Sequence, residues 1–262
     1  MAEINSHIQM PKVILKRFVN DNQRFFYYDV AKKFIGNNGT PKSINTEEGY
    51  YSETTEDILN RELETKLGNL LGKIDWSKSF IPFSKENISI IKRYFYSLIT
   101  RAPSFRDYVV EKSVFLEDFQ KQMQNDVVAI NGMNWAEKNT KLLDDYQFTI
   151  WKNESNCPFV LPVCGAYEIS LKGCNHIILP VSPNMAFVFF DCTCANPDLL
   201  SESVTTIIRS VRGTEEVIHI LNWAGFQKQC SSGWGFVVSN QKDILEELSK
   251  KYKDIDDEKQ RD

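Results

Sequence analysis

From residue 54 onward, apolar positions recur at helical spacing. In TTEDILNRELETKLGNLLGKI (54–74), Leu59, Leu63, Leu67, Leu70 and Ile74 fall on one face, the stripe of an amphipathic helix. Thr54 or Thr55 is the expected N-cap, and Glu56 and Asp57 suit a first turn, where carboxylates meet the positive end of the helix dipole. A second helix starts at Ser84, turns Ile88, Ile91, Phe95, Leu98 and Ile99 inward, and stops near Pro103, whose ring restricts the residue before it. A third, long helix is expected over 105–130, with Phe105, Val109, Phe115, Phe119 and Val127 inward. Asn131-Gly132-Met133 is expected to break it, and a short helix then runs to Leu143.

Either side of this helical middle the spacing is that of strands. Residues 1–20 read as irregular to extended. RFFYYDV and the following AKKFIG form a predicted hairpin over 24–36, and GYYS (49–52) a further short strand. Strand patterns recur at 146–151, 158–163, 166–171, 176–181 and 186–191. Two helices follow at 198–211 and 214–230, the second capped by Thr214. A last strand at 234–239 leads into a helix at 241–252. No internal repeat or Pro/Gly/Ser linker interrupts this order. The expected fold is α+β: one domain over 1–252, with a helical part (54–143) packed on a mostly antiparallel sheet, and a charged disordered tail at 253–262.

Composition narrows the class without changing this picture. The 262 residues are 42% hydrophobic and 25% charged, with a formal charge of −4 from 31 basic and 35 acidic residues. That is globular composition, without a global basic field. Apolar runs such as Ala186 to Phe190 fall far short of the ~18 residues of a spanning helix. The first ten residues lack the layout of a secretory signal. A cytoplasmic protein, with no membrane partner, is the expectation. The cysteines are Cys157, Cys164, Cys174, Cys192, Cys194 and Cys230. They include no CxxC pair, although Cys192 with Cys194, and Cys174 with His176, would share a strand face. Reduced, mostly buried thiols are expected.

No phosphate loop, nucleophile elbow, HExxH or GxGxxG motif is present. The candidates are therefore scattered polar residues. His7 opens HIQMPKVILKRF and is either a general acid or base or a hydrogen-bonding anchor for an extended segment. In TRAPSFRD (100–107), Arg101 and Arg106 flank a helix corner; two guanidiniums there would clamp a phosphate or carboxylate, or else cap carbonyls and pair with acids. Glu47, Glu48, Glu62 and Glu64 lie in or before the first helix, where paired carboxylates would hold Mg²⁺ and activate water, or form a solvated face. Ser182, between Pro180 and Pro183 in LPVSPN, is a hydroxyl in a rigid turn and a weak nucleophile candidate. His176 and His219 read as structural.

These segments together resemble the bacterial domain-of-unknown-function family 4238. HIQMPKVILKRF follows its N-terminal His-x-x-x-Pro-x-x-x-Leu-x-x-Phe frame, and RFFYYDV matches its next strand at Tyr28 and Asp29. INTEEGYYS and the helix containing Glu64 are similar to the following blocks. LITRAPSFRD matches an "RTPxFR" helix end at Arg101, Pro103, Phe105 and Arg106. LPVSPNMAFVFF matches a "PLSPxxxL" strand at Pro180, Ser182 and Pro183, and the terminal block matches through Asn222. One departure stands out: Pro162 and Val163 occupy positions where relatives carry serine and aspartate. The resemblance implies a bacterial or phage-borne protein and transfers no reaction. Two functions fit the candidates. The first is a metal-assisted, nuclease-like hydrolase in a defence or accessory role. His7, Glu47 and Glu64 would be catalytic, with Mg²⁺ as the possible cofactor, and Arg101, Arg106, Ser182 and Asn222 would bind a phosphate-containing ligand or nucleic acid. The second is a non-catalytic protein that recognises an anionic ligand, nucleic acid or protein partner. Both require the amino-terminal candidates to converge.

Overall fold

The computed structural model describes residues 5–113, 116, 119–138, 143, 146–191 and 207–259. Helices and antiparallel strands alternate in an α+β arrangement. The order is β1 (Asn5–His7), α1 (Lys12–Leu15), β2 (Phe25–Asp29), β3 (Phe34–Gly39), β4 (Thr46–Glu48), α2 (Glu53–Leu59), a π-helical segment (Asn60–Glu64) and α3 (Thr65–Lys73). Then come β5 (Phe80–Pro82), α4 (Lys85–Thr100), α5 (Pro103–Glu111), α6 (Lys121–Lys138), β6 (Tyr146–Asn153), β7 (Leu161–Pro162), β8 (Tyr167–Leu171), β9 (Cys174–Ser182) and β10 (Met185–Asp191). The chain ends with β11 (Ile207–Gly213), α7 (Glu215–Ser231), β12 (Phe236–Ser239) and α8 (Lys242–Lys259). Contacts group these into two compact units, one of residues 1–13, 45–149 and 189–210, the other of 14–44, 150–188 and 211–262. The units interleave along the chain, so no linker or shift in composition marks a boundary.

The first unit holds the helical middle. β1 pairs antiparallel with β4, with Ser6 opposite Glu47 and His7 opposite Thr46. β5 pairs antiparallel with β11, Ile208 opposite Ile81. Tyr50, Tyr51, Leu59, Leu63, Ala129 and Met133 form a buried cluster. The Phe148 ring packs at a tilt against Phe83 and Phe189, and Phe189 meets Phe95 edge to face. In the second unit the sheet order is β3-β2-β12-β7, β8 pairs antiparallel with β9, and Tyr28, Phe159, Ile178, Val188, Phe226 and Leu245 belong to one core.

The first predicted helix begins earlier and is not uniform. Ser52 is its N-cap: its Oγ accepts the Thr55 N–H at 3.3 Å. A π turn interrupts it at Asn60–Glu64. The predicted apolar face survives, with Leu59, Leu63, Leu67, Leu70 and Ile74 all buried. The four-residue steps 59–63–67 overrun a 3.6-residue turn, and the wider π turn takes up the excess. Ser84 caps α4 as expected, its Oγ accepting the Asn87 N–H.

Other expectations need correction. The long third helix is two, α5 and α6, and Asn131-Gly132-Met133 lies inside α6. Gly132 is a contact point there and not a breaker. A Cβ on it would meet Thr100 Cβ at 2.5 Å, so glycine permits α4 and α6 to approach, and these helices pack closely. The strand near GYYS is β4, just before it, and Gly49 turns the chain with φ +66°. Of the helix expected at 198–211, residues 207–211 form part of β11, where Ile207, Ile208 and Val211 favour extended backbone; residues 198–206 lie outside the described residues. α8 continues through Lys259, beyond residue 252 and into the expected disordered tail. Its mixed charges permit i,i+4 pairs such as Lys242 with Glu246 at 2.6 Å.

Candidate functional site

Pro103 sits at the first position of α5 and forces α4 to end at Arg101, its C-cap. That ending aims the Arg101 side chain inward, where only 1% of it is exposed. Nη2 donates to the His7 carbonyl at 2.7 Å. Nη1 donates to Glu64 Oε1 at 3.4 Å. The guanidinium carbon lies 5.7 Å from the centre of the Tyr51 ring. One cation therefore joins β1, the last residue of the π segment and the turn before α2. Burial opposes the Arg101 charge, and the fields of Tyr51, Glu64, Glu56 and Tyr94 more than offset it, so its pKa moves upward.

Around this guanidinium stand groups of both signs. Tyr51 donates from Oη to the Ile8 carbonyl at 3.2 Å, and its N–H is 3.4 Å from Ser6 Oγ. Burial raises the Tyr51 phenol above its usual range against the pull of Arg101. Glu56, on α2, is the residue that sequence reasoning assigned to a first-turn dipole role and passed over. Burial pushes its carboxyl upward, while a hydrogen bond with Ser6 and the fields of Arg101 and His7 hold it down, and Glu64 adds to the rise. Glu56 Oε1 and Arg101 Nε are both buried without a hydrogen-bond partner among the described residues. Two orphaned buried polar atoms of opposite character in one cluster are unusual in a purely structural lock. In the sequence Glu56 is one of four carboxylates of the expected helix 54–74, marked only by its place in the first turn.

His7, Glu64 and Arg101 thus converge, with Glu56 and Tyr51 added. Glu47 and Arg106 form a neighbouring group. Glu47 Oε1 accepts from Lys121 Nζ at 2.8 Å at an exposed position. Arg106 donates through Nη1 to Asn125 Oδ1 at 3.2 Å and through Nε to Asp107 Oδ1 at 2.8 Å, and its Nη2 also pairs with Asp107. Asn125 Nδ2 in turn holds the Tyr50 carbonyl at 2.8 Å. The two groups meet at Tyr50 and Tyr51, whose rings lie edge to face at 4.8 Å. Burial foremost, then Tyr51, raises the Tyr50 phenol, while Arg106 and Arg101 pull it down.

Ser182 and Asn222 belong to the other unit. Ser182 Oγ accepts the Asn184 N–H at 3.3 Å in the β9–β10 turn. Asn222 is 1% exposed. Its Oδ1 accepts the Val160 N–H at 2.9 Å and its Nδ2 donates to the Pro158 carbonyl at 2.7 Å, which pins residues 158–160 on α7. Both ends of its amide thus hold the backbone of residues 158–160. His219 is more exposed than a structural histidine, with Glu215 and Glu247 oxygens each 3.8 Å from its ring nitrogens. His176 is half-buried, donates from Nδ1 to the Cys174 carbonyl (2.9 Å) and has its pKa lowered by burial.

The expected Mg²⁺ ligands do not assemble. Glu47 is held by Lys121 and Glu64 by Arg101, and Glu62 is held by Lys66 at 2.8 Å. Among the described residues no group of three or more His, Cys, Asp or Glu side chains is placed to hold a metal ion. Each of these three carboxylates thus has a cation of the protein beside it. Cys157 and Cys230 are buried and Cys164 and Cys174 partly buried, and Cys192 and Cys194 lie outside the described residues. Burial pushes the Cys157 thiol up to about 11 and the Cys164 thiol up to about 12. Among the described residues no helix is long and apolar enough to cross a membrane.

No curated protein and no solved structure matches the chain. The family model described as "Protein of unknown function (DUF4238)" matches residues 9–243, which takes in Glu47, Glu56, Glu64, Arg101 and Arg106 and begins just after His7. The chain belongs to the DUF4238 family.

Proposed function

We propose that this protein is a nuclease-like hydrolase that cleaves a phosphate ester by general acid–base chemistry, with His7 and Glu56 exchanging protons. The observation that carries the reading is the grouping of the Glu64 carboxylate, the Tyr51 ring and the His7 backbone carbonyl around the buried guanidinium of Arg101, with Glu56 in the fields of Arg101 and His7. Glu56, a carboxyl raised by burial, is a better base than a solvated one. It takes the proton from the attacking water while the new P–O bond forms. His7 gives a proton to the leaving oxygen as the old P–O bond breaks. Arg101 is a positioning residue: its guanidinium sets the Glu64 carboxylate and the His7 backbone, and faces no solvent. Arg106, whose side chain is 17% exposed, is the cation able to meet a phosphate once Asp107 yields.

The test is hydrolysis of single-stranded RNA, duplex DNA and bis(p-nitrophenyl) phosphate in the presence of EDTA. Turnover that persists in EDTA and falls about 100-fold or more in His7→Ala and in Glu56→Gln supports the reading. Full activity in Glu56→Gln, or no turnover on any of the three, overturns it.

The burial of Arg101 and the pairing of Glu64 also favour a second reading, a non-catalytic anion-recognition protein using His7 and Arg106. It calls for a rise in melting temperature with inorganic polyphosphate, lost in Arg106→Ala, without turnover.

A further inference from the structure

The second unit holds a thiol and an imidazole side by side. Residues three and four apart share a face of a helix, so α7 carries Glu215, His219 and Asn222 in one stripe. That stripe meets Cys157, in the loop between β6 and β7. Asn222 fixes the loop: besides its bonds to the Val160 N–H and the Pro158 carbonyl, its Nδ2 lies 3.5 Å from Cys157 Sγ. Asn153 Nδ2 donates to the Cys157 carbonyl at 2.6 Å. The sulfur is thereby set 4.0 Å from His219 Nδ1. At the other ring nitrogen, Glu215 Oε1 stands 3.8 Å from Nε2. A carboxylate there keeps the ring proton on Nε2 and leaves the Nδ1 lone pair on the side of the sulfur. Glu247, from α8, has Oε1 3.8 Å from the same Nδ1.

A sulfur and an imidazole nitrogen that face one another are ligands for a soft metal ion, and their separation narrows the choice. Bonds of roughly 2.3 Å to sulfur and 2.0 Å to nitrogen, at the tetrahedral angle of zinc, put the two ligand atoms roughly 3.5 Å apart. Spanning 4.0 Å opens the angle at the metal to roughly 135°. Two ligands at so wide an angle suit a monovalent d10 ion. Zinc takes at least three protein ligands, and no group of three is so placed among the described residues. The further donor beside Nδ1, Glu247, is a hard oxygen. The fields of Glu247, Glu215 and Asp243 reach the sulfur, and their negative charge favours a cation beside it. The His219 side chain is 40% exposed, which gives an ion a way to the buried thiol. We propose that Cys157 and His219 bind one Cu(I) ion between Sγ and Nδ1. The thiol proton passes to solvent as the S–Cu bond forms, so thiolate and metal cancel in charge where the sulfur is buried, and the copper keeps its oxidation state.

The experiment is anaerobic titration of the full chain with Cu(I) against bicinchoninate, whose coloured Cu(I) complex reports the copper it loses. One equivalent is expected to pass to the protein. The chain has six cysteines, so the deciding variant is His219→Ala, which keeps all of them. Its affinity for that equivalent is expected to fall about tenfold or more, as in Cys157→Ser. Cys164→Ser and Glu247→Gln are expected to leave it within about twofold. A roughly tenfold excess of Zn(II) is expected not to displace the copper. If Cys157→Ser fails to fold, His219→Ala, at an exposed position, still decides the case. No transfer of copper to the parent chain, equal retention by His219→Ala, a loss in Cys164→Ser or Glu247→Gln as large as in His219→Ala, or displacement by zinc overturns the proposal.

Discussion

Replacing Arg101 by methionine tests whether one guanidinium organises the candidate site. The side chains of Arg101 and Glu64 are 1% and 16% exposed, with N and O 3.4 Å apart. At that separation and an effective dielectric near 20, the Coulomb attraction is about 5 kcal/mol, before the cost of removing both charges from water. Methionine fills a similar volume, so little cavity is created. It strands the Glu64 carboxylate and leaves the His7 carbonyl without its donor. Breaking one side of a buried pair costs about 3–5 kcal/mol, most of it the uncompensated charge. The loss of a charged hydrogen bond falls partly within that figure, since such terms are not additive. About 4 kcal/mol of destabilisation is therefore expected for Arg101→Met, read by urea unfolding at constant m-value. Adding Glu64→Leu removes the stranded charge, so the double variant is expected to be about 2 kcal/mol more stable than Arg101→Met alone. A loss below about 1 kcal/mol in the single variant, or a double variant no more stable than the single, would refute the idea that Arg101 and Glu64 act as a buried pair.

Two further predictions concern packing and titration. Gly132→Ala gains intrinsic helix propensity but places a Cβ 2.5 Å from Thr100 Cβ, so a net loss of about 1–3 kcal/mol is expected; a stabilised variant in thermal unfolding would show that the α4–α6 approach is looser than described. The folded-state pKa of Glu56 is raised above its ordinary value of 4.5, so the folded chain holds that proton more tightly than the unfolded one. Its contribution is most favourable below pH 4.5 and is lost as pH rises through the raised value. Relative to Glu56→Gln, the parent chain should lose stability across that window as pH increases. Parallel pH profiles of the two would remove Glu56 as the titrating group.

Much of the architecture was legible along the chain because it rests on local periodicity. The face Leu59, Leu63, Leu67, Leu70 and Ile74, the caps at Ser84 and Thr214, the β2–β3 hairpin and the strands around 146–191 follow from spacing and turn chemistry alone. Where local rules failed, a distant partner had decided. Gly132 reads as a breaker until Thr100 occupies the space its missing side chain leaves open. Ile207 and Ile208 became strand because β5 lay alongside them.

The candidate site divides in the same way. His7, Glu64, Arg101 and Arg106 could be picked out by residue type and by their places at element ends. The sequence by itself determined an α+β chain, the helix stop at Pro103 and the charged groups available for chemistry, since propensity, capping and charge belong to each residue and its near neighbours. Only the tertiary structure decided that Arg101 points inward to Glu64 and the His7 carbonyl, that Lys121 claims Glu47, and that Glu56 joins the cluster. These outcomes depend on desolvation and on distances between residues far apart in the chain, quantities that exist only after the helices and strands have packed.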